Sequence, residues 1–223
     1  SALMEINTPA TIGPGEFFPV VGVGPHEQPW PIGDHYDSEL LENGDRRNVL
    51  DKYRYWSVEA IVADLDTKRH KLHIAIENWQ HDLNIGSVVR TANAFNVSAV
   101  HIVGKRDWNK RGAMVTDRYL KVIHHPTVAE FASWCKENKL PIIGIDNVPS
   151  SEHLEGSQLP ESCVLLFGQE GAGMSDEGVE VCEVLYAIEQ YGSTRSMNAS
   201  AAGAIAMYHW ALQHLPKKKG LAL

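Results

Sequence analysis

Cysteine is scarce in this chain, and the three present do not pair. Cys135, Cys163 and Cys182 stand far apart, with neither the spacing of a zinc ligand set nor the pattern of a disulfide framework. That excludes a small cross-linked scaffold and suits a reducing, cytoplasmic setting. Long apolar runs are missing too. No stretch approaches the ~20 residues needed to cross a bilayer, so no membrane partner is expected. Positive charge is in short supply: 28 acidic against 20 basic side chains leave a net charge of −8. That is the wrong overall sign for a protein that grips phosphates.

Net charge says nothing about distribution. Residues 105–121 hold Lys105, Arg106, Lys110, Arg111, Arg118 and Lys121 against Asp107 and Asp117 alone. Lys217, Lys218 and Lys219 form a second basic run. Taken alone, such runs are solvated surface; beside a nucleic-acid site they are a phosphate-binding face.

The 223 residues allow one good core plus an extension. Residues 1–33 carry six prolines and no sustained periodicity, which reads as an extended arm. Val49, Leu50, Tyr53, Trp56, Ala60 and Val62 have near-helical spacing, so an amphipathic helix is expected over 46–65. From about residue 70 strand and helix patterns alternate. Strands are expected at Leu72–Ile76, Ala99–Val103, Tyr119–Ile123, Ile142–Ile145, Val164–Phe167 and Val184–Ile188. Helices are expected after Asn84, over Val128–Asn138 and from about Met197 to His214. This predicts an α/β fold, a mainly parallel sheet flanked by helices. The expected organisation is an N-terminal extension over 1–69, one domain over 70–215 and a basic tail over 216–223.

Three segments fall at strand-to-helix junctions, where ligands bind in such sheets. They are Asn84-Ile-Gly-Ser-Val-Val-Arg90, Phe167-Gly-Gln-Glu-Gly-Ala-Gly-Met-Ser175 and Tyr191-Gly-Ser-Thr-Arg-Ser-Met-Asn-Ala-Ser200. Each has an ordinary explanation. Asn84, Ser196 and Asn198 are natural helix caps. Arg90 on an apolar helix fits a structural ion pair, and the glycines fit a tight turn. A dinucleotide-binding fingerprint fits poorly, because the glycine loop comes late in the sheet.

In order, spacing and residue type the three segments resemble the signature motifs of the SPOUT superfamily. They are most similar to those of the SpoU/TrmH-type RNA 2′-O-ribose methyltransferases, over roughly residues 70–215. The Tyr191–Asn198 form is similar to the branch that modifies guanosine 18 of tRNA, a slight lean to tRNA over rRNA. The resemblance implies a C-terminal deep trefoil knot and a homodimer with its active site at the subunit interface. It also implies S-adenosylmethionine as co-substrate, RNA as acceptor and no metal.

Carried over residue by residue, it makes Arg90, Asn84, Glu170, Ser196 and Asn198 the catalytic set. Gly168, Ile188, Met197 and Asp146 become the cofactor-binding positions. Lys105, Arg106, Lys110, Arg111 and Arg118 become the RNA-binding surface. Glu189 departs from the pattern, since many relatives have proline there. The vicinal pair His124-His125 has no spaced third ligand, so a metal site is not expected from it. Trp30, Trp56, Trp79 and Trp108 are expected to pack internally, with Trp108 the one placed to meet a base. The alternative function is a non-catalytic RNA-binding or ribosome-assembly protein that keeps the fold; retention of the full reactive set weighs against it.

Overall fold

The computed structural model describes residues 21–80 and 84–217. Most of the proline-rich arm and the Lys218-Lys219 pair lie outside the described residues. The chain divides into two compact units, with the boundary between Ser57 and Val58.

The first unit is organised around a buried carboxylate. Asp45 is fully buried and accepts hydrogen bonds from Arg47 Nη2 (2.7 Å), Arg47 Nε (2.9 Å) and the amides of Arg47 (3.0 Å) and Tyr55 (2.9 Å). Burial alone would raise its pKa. The Arg47 side chain and the two backbone donors outweigh burial and hold the carboxyl at about 2. The helix expected over 46–65 does not form as one piece. Helix α1 is Ser38–Asn43, and after it residues 51–53 make only a 3-10 turn. Tyr55 then takes φ +65°, which no helix accommodates. Tyr53 and Trp56, read as helix-face residues, instead pack on each other and, through Trp56, on His35.

The second unit opens with helix α2, Val58–Asp66, and then builds one sheet. Its strands are β1 (His70–Asn78), β2 (Val97–Gly104), β3 (Val122–His125), β4 (Ile142–Ile145), β5 (Glu152–His153), β6 (Cys163–Phe167) and β7 (Val184–Ala187). The order is β3-β2-β1-β6-β4-β7-β5, with every neighbouring pair parallel. The third expected strand starts later than its apolar pattern suggested. Tyr119 closes a 3-10 turn and is buried there, and the strand begins at Val122. The two-residue β5 gave no signal of its own in the sequence.

Parallel sheets bury both faces, which is why the strands are apolar nearly throughout. One face packs Ile74, Ile102, Leu165 and Phe167 against helix α3 (Asn84–Ala94) and helix α6 (Ala199–His214). The opposite face packs Ala75, Val103 and Leu166 on helix α4, Val128–Glu137. Helix α5, Asp176–Glu180, follows the glycine loop and is capped by Ser175.

That second face also carries a chain of three imidazoles. His73 Nδ1 lies 3.0 Å from His101 Nε2, and His101 Nδ1 lies 2.8 Å from His125 Nε2, one residue from each of β1, β2 and β3. His125 therefore serves this ladder, and His124 bonds the Gly104 carbonyl (2.7 Å). Each ladder contact needs one donor and one acceptor, so neutral rings suffice. Burial pushes His101 down to about 2 and His73 down to about 4, with nearby cationic groups adding to both shifts. Burial also lowers His125.

The unfolded chain protonates these rings near pH 6.5, whereas the folded one resists to well below that. Their stabilisation is thus complete above about pH 6.5 and is lost as the pH falls towards 4 and beyond. The melting temperature is expected to drop steadily between pH 7 and pH 4. His101→Phe should lower it at pH 7 but make the acid limb shallower, as thermal melts across that range would read.

Candidate active site

The carboxyl ends of β6, β4 and β7, adjacent in the sheet, open on one cavity of about 600 Å³. Its walls are three loops: Asp146–Pro149 after β4, Gly168–Met174 after β6, and Ile188–Met197 between β7 and α6. All four positions expected to bind a cofactor, Gly168, Ile188, Met197 and Asp146, line it.

The glycine loop is shaped by close approach. A Cβ on Gly168 would stand 2.2 Å from Gly173 C and Met174 N, so no other residue fits without moving backbone. Gly171 and Gly173 take φ +80° and +72°. The loop folds back on itself, Gln169 and Gly173 exchanging backbone bonds of 3.0 and 3.1 Å. Asp146 steadies it from β4 by accepting from Met174 N at 2.7 Å. Its other oxygen accepts from Asn147 N at 2.7 Å.

Beside the cavity the three segments are hydrogen-bonded to one another. Asn84 Nδ2 donates to Glu170 Oε2 (3.2 Å), and Asn198 Nδ2 donates to Asn84 Oδ1 (2.9 Å). Ala199 N donates to the same Glu170 oxygen (2.8 Å). Asn198 Oδ1 meanwhile caps α6, accepting from Ser200 N (3.0 Å) and Ala201 N (3.3 Å). The cap expected of Asn198 is therefore present, and the same side chain also joins the site. Ser196 is exposed on the cavity wall.

Arg90 is exposed on α3 and makes no ion pair among the described residues, so the structural-ion-pair reading is not realised there. Glu170 holds Asn84 and the start of α6.

Sequence reasoning missed the groups that hold the loops from behind. Glu77, fully buried at the end of β1, accepts from Ser175 N (2.8 Å) and from Ser175 Oγ. A carboxylate closing an otherwise apolar strand was the available signal. Gln169 Oε1 accepts from Trp79 N (2.8 Å) and Gln80 N (2.7 Å), tying the glycine loop to β1. Asn78 Nδ2 donates to the carbonyls of Lys105 and Asp107, both at 2.9 Å, which anchors the start of the basic segment.

The Glu189 departure also has a use. Its amide, which proline would lack, donates to Glu155 Oε1 (3.0 Å), and its carboxylate pairs with His153 (2.8 Å). These contacts strap the loop after β7 to β5.

The SpoU rRNA Methylase family model matches residues 71–208, the sheet and all three segments. The chain belongs to that family. A tRNA (guanosine(18)-2′-O)-methyltransferase of Borreliella burgdorferi is 24% identical over 77% of this chain and 79% of its own length. The 23S rRNA (guanosine-2′-O-)-methyltransferase RlmB of Neisseria meningitidis serogroup B is 29% identical over 86% and 92%. A tRNA (guanosine(18)-2′-O)-methyltransferase of Saccharomyces cerevisiae is 25% identical over 69% of this chain, which spans only 12% of that larger relative. Among solved structures, the SpoU methyltransferase AviRb from Streptomyces viridochromogenes in complex with the cofactor AdoMet shares the fold. Its TM-score is 0.59 at 22% identity, covering 67% of this chain and 60% of that one.

If Asn198 both caps α6 and links the SpoU segments, its two roles separate by mutation. Asn198→Ala should cost about 1–2 kcal/mol in urea unfolding. Asn198→Asp keeps the capping oxygen and should recover most of the loss while still lacking the donor to Asn84.

Proposed function

We propose that this protein transfers a methyl group from S-adenosylmethionine to a ribose 2′-hydroxyl of tRNA or rRNA. The observation that carries the reading is the hydrogen-bonded joining of Asn84, Glu170 and Asn198 beside a glycine-walled cavity. A cavity of about 600 Å³ is of ligand size. Its wall combines exposed backbone at Gly168–Gly173 with the apolar side chains of Ile188 and Met197. That mixture suits a purine with an amino-acid tail, and the residues present fit the group. The bound cofactor supplies an electrophilic methyl on a sulfonium.

The rest of the chemistry falls to this chain. A ribose hydroxyl is a weak acid, and its oxygen gains negative charge as it gives its proton to solvent water and takes up the methyl. A guanidinium, with a pKa above ~12, is a poor base but a strong fixed positive charge. Arg90, exposed and without an ion-pair partner among the described residues, is available to stabilise that charge and to clamp the neighbouring phosphate. Asn84, Glu170 and Asn198 position the helix that carries it, and Ser196, exposed on the cavity wall, would position the acceptor ribose. Lys105, Arg106, Lys110, Arg111 and Arg118 are all exposed, in keeping with a phosphate-binding face that overcomes the acidic net charge.

Two further features belong to the same reading. The C-terminal segment would be tucked into a trefoil knot, as the resemblance of the three segments implies. The protein would work as a homodimer. Helix α6 turns Ala201, Ile205, Tyr208 and Leu212 outward while Ala206, Met207 and Trp210 face the core, so it is apolar on both sides.

Purified protein should move labelled methyl from S-adenosylmethionine to unfractionated tRNA or rRNA. Arg90→Ala should slow transfer by about 100-fold or more with cofactor affinity unchanged by calorimetry. Gly168→Ala, whose Cβ collides with Gly173 C, should lose cofactor affinity instead. Transfer at the wild-type rate by Arg90→Ala would contradict the assignment.

A further inference from the structure

Met114 and Val115 are consecutive non-glycine residues with positive φ, +49° and +63°. That region is uncommon for any side chain and a true outlier for a β-branched one. Such strain persists only where the surroundings over-determine it. Here they do. On one side Ala113 is buried against α3, where a Cβ added to Gly86 would stand 2.8 Å from Ala113 N. On the other, buried Thr116 donates through Oγ1 to the Ala113 carbonyl (2.5 Å), and Lys110 Nζ reaches Asp117 Oδ2 (3.3 Å) across the base of the turn. The backbone is thereby held in a shape that turns two large apolar side chains outward, 57% and 55% exposed.

Their neighbours on the turn are the exposed cations Lys110, Arg111 and Arg118. Arg90, exposed, stands four residues after Gly86, one helical turn along α3 from the point where α3 meets this turn. A cationic collar suits phosphates, but an apolar tip does not; it suits the flat, poorly hydrated face of a base. Bases in an A-form duplex hide those faces, and its major groove is too narrow for side chains, so the base must be unpaired.

We propose that Met114 and Val115 form a rigid wedge that packs on an unpaired RNA base adjoining the ribose presented to Arg90. The proposal rests on the RNA methyltransferase reading above and adds the class of nucleotide it accepts. A tip fixed before binding gives up little conformational freedom when the base arrives, and the polarisable thioether of Met114 suits an aromatic face.

The test is binding of unfractionated tRNA by fluorescence anisotropy over a range of salt, for wild type, Val115→Gly, Met114→Asn and Lys110→Glu. Glycine accepts the positive φ, so Val115→Gly should melt at or above the wild-type temperature. It should nevertheless bind tRNA about tenfold more weakly with an unchanged salt slope, because no phosphate contact is lost. Met114→Asn should behave alike in binding, whereas Lys110→Glu should flatten the slope. Wild-type affinity in both Val115→Gly and Met114→Asn would overturn the wedge while leaving the function intact. Weaker binding that tracks a loss of self-association in sedimentation would overturn it too, by making the tip a subunit contact. Wild-type protein that neither binds nor methylates RNA would overturn the reading on which the wedge depends.

Discussion

One carboxylate oxygen, Glu170 Oε2, receives the Asn84 side chain and the first amide of α6. With the bond from Asn198 to Asn84, this draws the start of α3 to partners 86 and 114 residues further along the chain. Most of the other contacts around the site are arranged so that this oxygen can sit there. Asp146 and Gln169 hold the glycine loop from β4 and β1, and Glu77 holds its far end through Ser175. The result is a constellation supported from behind by side chains on rigid strands, which is what a preorganised site requires.

The sheet order explains why such a network is available. Strand β6 inserts between β1 and β4, so the loops after β6, β4 and β7 become neighbours although they come from separate parts of the chain. A crevice at adjacent carboxyl ends of parallel strands is where α/β sheets bind ligands. Helix α3 reaches the same place from the other side of β1. It brings the basic segment with it, through the close backbone approach of Gly86 to Gly112 and Ala113. Cavity, candidate catalytic arginine and cationic surface are thus products of one topology.

Much of this was legible in the residues. Apolar strand runs located most of the strands, because both faces of a parallel sheet are buried and the pattern is strong. The three loops could be found because, at strand-to-helix junctions, they resemble the SPOUT motifs in order, spacing and residue type together. What escaped depends on contacts that sequence does not encode locally. Trp56 and Tyr53 have helical spacing, but the Trp56 carbonyl accepts from Arg47, itself bound to Asp45, and Tyr53 packs on the Trp56 ring. His73, His101 and His125 are far apart in the chain and adjacent only because β1, β2 and β3 pair in register. Glu189 read as a departure, and its strap to Glu155 needed β5, a two-residue strand set by its pairing with β7. The strain at Met114 and Val115 has no signature in residue type at all.

A ribose methyltransferase site acting on RNA is tested most directly by nucleoside mass spectrometry of total RNA, with tRNA resolved from rRNA, from cells with and without this protein. The account predicts the loss of one 2′-O-methylated nucleoside from one pool, restored by the wild-type protein and not by a form lacking the Arg90 guanidinium. Identical 2′-O-methyl content in both pools would contradict it.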